Sequence, residues 1–273
     1  MTDTSSWANR AFIGLCVLIL IFLILPTLLI IPMSISPSSY LEFPPTGFSL
    51  RWYEEFFSDQ SWLSATSFSL QIAAGTSVCA TVIGTMAAIA LVRGNLPGRY
   101  TIEALVLAPL IVPHIIVAIA VYLQFAPLGL TGSRTGFLLI HTALAVPYVV
   151  LLISAALQRL SPSLEMAALN LGASRSRAFF HVTMPLIMPA ILASAVFAFL
   201  ASFDETIVSF FISGVEHKTV TRKLFEDIEF SLSPVIAAAS TIFVVVSVGL
   251  MWLGNLSKSA AQKSVDPEAE TSK

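Results

Sequence analysis

Long apolar stretches follow one another along the chain, each closed by a short cluster of charged, glycine or proline residues. Those at residues 11–33, 64–92, 102–125, 137–157, 186–212 and 234–255 approach or exceed the roughly 20 residues that a helix needs to cross about 30 Å of hydrocarbon. The alternation of a transmembrane barrel is absent, so the pattern predicts an all-α membrane protein with six transmembrane helices. Arg10 precedes the first stretch, which is too long for a signal-peptide core and is followed by no A-x-A site; it reads as an uncleaved helix. An even number of spans puts both termini on one side.

Composition supports the membrane assignment. With 56% hydrophobic and 11% charged residues over 273 positions, a soluble domain could not cover its surface. The net charge of -2 hides an uneven distribution. Arg10, Arg93, Arg99, Arg159, Arg175, Arg177, Lys258, Lys263 and Lys273 fall on one side of the predicted spans, and Arg51, Arg134, Lys218, Arg222 and Lys223 on the other. The richer side is cytoplasmic by the positive-inside rule, so both termini face inward. The expected organisation is a cytoplasmic N-terminus at 1–10, a transmembrane domain at 11–256 and a polar cytoplasmic tail at 257–273, disordered by composition. In the outer segment 34–63, Trp52, Tyr53, Phe56 and Phe57 predict an amphipathic helix lying at the interface. The outer loop 214–233 carries both signs of charge, as a solvated loop or a surface for a binding protein would.

Candidate chemistry is sparse. Cys16 and Cys79 sit in apolar runs and read as small buried hydrophobes. Gly75, Gly84, Ala73, Ala74, Ala87 and Ala88 allow close helix approach, and Gln71 and His141 are expected to bond between helices. No Cys/His cluster has metal-ligand spacing, no Ser/His/Asp grouping stands out, and no phosphate loop G-x-x-x-x-G-K-[ST] occurs. Neither catalysis nor ATP binding is expected of this chain alone, nor a nucleic-acid partner; membrane lipid surrounds it. Internal twofold similarity, the mark of many self-contained secondary transporters, is not evident either.

Residues 158–185 join two spans by roughly 30 residues, where bundle connections usually take two to eight. Ser161 or Ser163 can cap a helix, Pro162 suits its first turn, and Glu165 favours the positive end of its dipole. Met166, Ala167, Ala168, Leu169 and Leu171 give it a small apolar surface, and Gly172 permits a sharp exit before Ala173. A second helical stretch from about Arg175 to Val182 is expected to end at Pro185 and Pro189. The segment 161–185 is thus a protruding helix-turn-helix suited to a groove on another protein.

These residues resemble the cytoplasmic signature of integral-membrane subunits of binding-protein-dependent ABC importers: E-A-A, three residues, Gly, nine residues, I-x-L-P. Met166, Ala167 and Ala168 stand at the E-A-A positions, Gly172 at the glycine, and Val182, Met184 and Pro185 at the I-x-L-P positions. The signature glutamate is Met166, with Glu165 one place earlier and about 100° around the helix. The segments FPPTGFSLRWYEEFF, ASFDETIVSFFISG and SPVIAAASTI are similar to the second permease of spermidine/putrescine importers. The resemblance implies a type I importer permease fold. It further implies a homologous second permease subunit, two ATPase subunits that bind ATP and Mg, a solute-binding protein, and import of a polyamine or another small organic solute. Glu165, Met166, Ala167, Ala168, Gly172, Ala173 and Pro185 would then couple the chain to its ATPase. Asp204 and Glu205 lie about 15 residues beyond Pro189, roughly 22 Å along a helix and in the outer half of the bilayer, where carboxylates mark solute pathways, Asp204 ahead of Glu205; the alternatives are a helix that unwinds near Ser202 or a carboxylate paired with a partner subunit. His114, beside Pro113, is a weaker pathway candidate, with packing as its alternative role. A secondary transporter and a recruiting scaffold are the competing readings.

Overall fold

A computed structural model describes residues 4–214, 217–230 and 232–249, all of whose regular elements are helical. The expected tail at 257–273, the end of the sixth span and Glu216 lie outside the described residues. The chain divides into two compact units, Met1–Leu63 with Leu224–Val246, and Ser64–Lys223 with Ser247–Lys273.

In the first unit, α1 (Thr4–Ser34) is apolar all round and exposes Leu18, Phe22 and Leu23, as a lipid-facing helix does. The expected helix forms as α2 (Arg51–Ser58), with Trp52 and Phe56 turned into the protein and Phe57 left exposed. Trp52 and Phe56 are buried. The Trp52 indole N–H donates to the Ser36 carbonyl at 2.8 Å, and Phe56 packs against Trp62 and Phe243 at ring-centroid distances of 5.5 and 6.2 Å. A buried indole needs an acceptor, and the chain after α1 supplies it. A later apolar helix, Val235–Gly249, covers the described part of the sixth span.

In the second unit, α3 (Gln60–Arg93) and α6 (Arg134–Arg159) are unbroken helices over the second and fourth predicted spans. A Cβ on Gly84 would come within 2.7 Å of Val149, so α3 and α6 meet where glycine removes the obstacle. Lipid is as apolar as leucine, so such contacts hold helices together by packing rather than by exclusion of water. Two apolar clusters result. Phe68, Ile72, Ala118, Phe137, Leu144 and Val208 form one, and Ala80, Ala88, Val149, Ile153, Leu157 and Ile187 belong to the other.

The third and fifth spans depart from expectation. The third is not one helix: α4 (Arg99–Leu107) and a 3-10 turn (Ala108–Leu110) are followed, after a break, by α5 (His114–Phe125), bent by 95°. Pro113 lacks an N–H and adopts ψ 127°, and its ring bars Val112 from helical geometry. The fifth is broken as well. There α9 (Met184–Phe203, numbered after the short α7 and α8 described below) stops before Asp204, and α10 (Ile207–Ile212) begins after Thr206. The segment 214–233, expected as an outer loop, contains α11 (Val220–Phe230), anchored by the Val220 N–H donating to Ser69 Oγ at 2.8 Å. Four described helices, Trp7–Ser34, Gln60–Arg93, Arg134–Arg159 and Arg175–Phe203, are long and apolar enough to cross a membrane, and the bent α4–α5 pair counts as a fifth if taken as one span.

Candidate functional site

The segment after α6 folds from local signals. α7 (Pro162–Asn170) starts with Pro162 in its first turn and with the Ser161 hydroxyl accepting from the Ser163 N–H at 3.3 Å. It ends in a Schellman turn. The Ala173 N–H donates to the Ala168 carbonyl and the Gly172 N–H to the Leu169 carbonyl, both at 3.0 Å, with Gly172 at φ +88°. A Cβ at Gly172 would meet nothing within 4 Å, so only the backbone angle demands glycine there.

α8 (Arg175–Ala178) is capped by Ser174 Oγ, which accepts from the Arg177 N–H. Contrary to expectation, it does not end at Pro185 and Pro189. A π-turn (Phe179–Thr183) carries it directly into α9. Pro185 has no N–H to give the carbonyl one turn back, and the wider π-turn just before it accommodates that loss. Pro189 is then absorbed inside α9.

The surface of this segment is apolar and open. Met166 is 56% and Leu171 90% exposed; Ala167, Gly172 and Pro185 are exposed, whereas Ala168 and Ala173 are half-buried. Glu165 turns the other way. Its Oε1 accepts from the Thr183 hydroxyl and lies 3.9 Å from Arg93 Nε. Neighbouring positions about 100° apart explain the divergence of Glu165 and Met166. Sequence reasoning missed Arg93, which is remote in the chain, and Thr183, which stands at the unspecified position of the I-x-L-P signature.

The second constellation lies where the two broken helices meet. The carboxylate of Glu205, 8% exposed, accepts from the Val208 N–H at 2.9 Å and so caps α10; its other oxygen stands 3.2 Å from Nδ1 of His114, the first residue of α5. The break leaves carbonyls without helical partners, and hydroxyls supply them. Thr206 donates to the Asp204 carbonyl at 3.0 Å and Thr221 to that of Glu205 at 3.1 Å. Such replacement is what irregular backbone at membrane depth requires. His141 bridges the same break, with Nδ1 2.8 Å from Ser202 Oγ and Nε2 3.2 Å from Ser209 Oγ. Gln71, in contrast, bonds Ser67 on its own helix at 3.0 Å rather than crossing to another. Asp204, adjacent to this network, is exposed. The structure therefore brings Glu205 and His114 together and leaves the Asp204 carboxylate accessible.

Comparison with known proteins gives a consistent setting. Residues 80–262 match the family model described as binding-protein-dependent transport system inner membrane component. The chain is 35% identical over 238 residues, 84% of each chain, to the putrescine transport system permease protein PotI of Escherichia coli (strain K12). It is 30% identical to the spermidine/putrescine transport system permease protein PotC of Haemophilus influenzae, over 77% of this chain and 82% of that one. Its fold resembles a chain in the crystal structure of a bacterial ABC transporter involved in the import of the acidic polysaccharide alginate, with a TM-score of 0.69, 16% identity and coverage of 95% of this chain and 98% of the other.

Proposed function

This chain belongs to the family of inner-membrane components of binding-protein-dependent transport systems, and from that premise we propose that it is one of two permease subunits of a polyamine importer. It is a multi-pass protein of the cytoplasmic membrane, and ATP hydrolysis belongs to a separate subunit. The names of the relatives favour putrescine or spermidine as solute. Six spans with cytoplasmic termini, over 11–256, accommodate α1, α3, the bent α4–α5 pair, α6, α8–α10 and the Val235–Gly249 helix. The companions in this reading are a homologous permease, two ATPases carrying ATP and Mg, and a solute-binding protein.

The observation that carries the coupling role is α7: a capped helix with exposed Met166, Ala167 and Leu171, closed by a turn that only Gly172 enters without strain. In this reading α7 seats in a groove of the ATPase and passes nucleotide-driven closure to the spans. Asp204 is the favoured pathway residue, because an exposed carboxylate in a membrane segment suits a solute ammonium. Glu205 and His114 hold the breaks beside it.

The reading is tested by purifying the chain with the companions named above and reconstituting the assembly in vesicles. ATPase should co-purify, and putrescine should enter only with ATP and a loaded binding protein. Uptake without nucleotide, or a chain that retains no ATPase, would point to the secondary transporter or to another role.

A further inference from the structure

The docking surface of α7 has a polar root. Arg93, the last residue of α3, uses Nη2 to donate to the Leu157 carbonyl at 3.3 Å and the Leu160 carbonyl at 2.9 Å. Both lie at the end of α6, where helical carbonyls lack intrahelical partners. Its Nε is buried and has no hydrogen-bond acceptor; Glu165 Oε1 at 3.9 Å is within ion-pair reach but too far for a hydrogen bond. The same Glu165 oxygen accepts from Thr183, in the π-turn that runs without interruption into α9. One carboxylate on α7 thus reaches Arg93 of α3, which itself holds the end of α6, and Thr183 at the root of α9, while its neighbours Met166 and Ala167 face outward.

We propose that Arg93, Glu165 and Thr183 form the positioning node that passes a displacement of α7 to α3, α6 and α9, an inference that rests on α7 being the ATPase-docking helix. The geometry leaves this node one step from closure. A shift of α7 by about 1 Å toward α3 brings Glu165 within hydrogen-bond distance of Nε. That shift gives a buried N–H the acceptor it lacks, so the node favours a second position of the helix. The π-turn, a wider loop in an otherwise regular ladder, is where the α8–α9 rod can adjust to follow. The carboxylate that is misplaced for the family signature is, in this node, correctly placed to read the helix position from behind.

The test uses the complete transporter in proteoliposomes, with ATPase retention and solute imported per ATP hydrolysed as separate readouts. Arg93→Met and Glu165→Gln should keep the ATPase bound yet lower uptake per ATP by about three- to thirtyfold, the range of coupling mutations that touch no ligand. Their combination should be no worse than the more severe single change, because both break the same link. Arg93→Lys, which keeps charge but not the guanidinium fork, should recover part of the loss. Thr183→Val, close in shape, carries the same test if Arg93→Met fails to assemble. Unchanged uptake per ATP in Glu165→Gln and Thr183→Val, or effects of Arg93→Met and Glu165→Gln that multiply in the double variant, would overturn the node. A wild-type chain that binds no ATPase would instead remove the docking reading beneath it.

Discussion

The proposed docking segment and the junction of the broken helices use polar residues in opposite ways. In the docking segment the apolar side chains Met166 and Leu171 point out, and the charged Glu165 turns back to hold the helix. At the junction the polar residues Glu205, His141, Ser202 and Ser209 are buried among apolar ones and hold the breaks together. An exposed apolar surface beside water is unfavourable unless a partner covers it, so the first region suits the association proposed for it. Unpaired backbone groups inside a membrane are unfavourable unless side chains satisfy them, so the second is arranged for internal stability. Asp204, next to that junction and exposed, is the exception, and the one for which a pathway role is proposed.

The largest effect expected from this contrast is at Glu205. Glu205→Ala removes the α10 cap and the partner of His114 together and should destabilise the protein by about 2–4 kcal/mol, seen as a lower thermal midpoint in detergent. Glu205→Gln keeps an acceptor for the Val208 N–H and should lose about half as much. Asp204→Asn, with no internal bond to break, should stay within about 0.5 kcal/mol while altering uptake. Equal destabilisation by the Asp204 and Glu205 changes would erase the distinction between a pathway carboxylate and a structural one.

The two regions also differ in how far the sequence revealed them. α7 was readable because its determinants are local: Ser161 and Pro162 start it, Gly172 ends it, and all lie within a dozen positions. The break in the third span was half readable, since Pro113 marks it but nothing in the run 102–125 shows a 95° bend. The break after Phe203 was readable only as an alternative, raised by two carboxylates inside an apolar run; hydropathy hides it, because Ile207–Ile212 resumes the apolar pattern and the gap is held by Thr221 and His141, remote from it in the chain. Prolines misled in the other direction. Pro185 and Pro189 looked like stops, yet the first falls in the opening turn of α9 and the second is carried within it. The inward turn of α2 depended likewise on partners, Ser36 and Phe243, that no local pattern names.

A smaller effect is expected at Gly172, where the exposed turn can be loosened without touching the root. The position has open space for a Cβ, so Gly172→Ala acts through the left-handed backbone angle alone and should cost about 1 kcal/mol. If the turn sets the docking geometry, ATPase affinity should fall about fivefold. Asparagine enters this backbone region more easily than alanine, so Gly172→Asn should bind closer to wild type. An ordering with alanine above asparagine would show that the side-chain surface, not the turn, is what the partner reads.

The smallest effect should come from restoring the signature residue. Met166→Glu places a carboxylate at the family position on a side chain that is 56% exposed, without disturbing Glu165, Thr183 or Arg93. Ordinary exposed substitutions fall within about 0.5 kcal/mol, so fold and thermal midpoint should hold. Uptake per ATP should likewise stay within about twofold, since the root is intact and the shape of α7 is set by Ser161 and Gly172. A large gain would mean that the partner groove offers a cation which Met166 leaves unanswered. A large loss would mean that the groove is apolar at that point and has been matched to methionine. Either result separates what the exposed face contributes to docking from what the inward-turned, half-buried carboxylate one position earlier contributes to transmission.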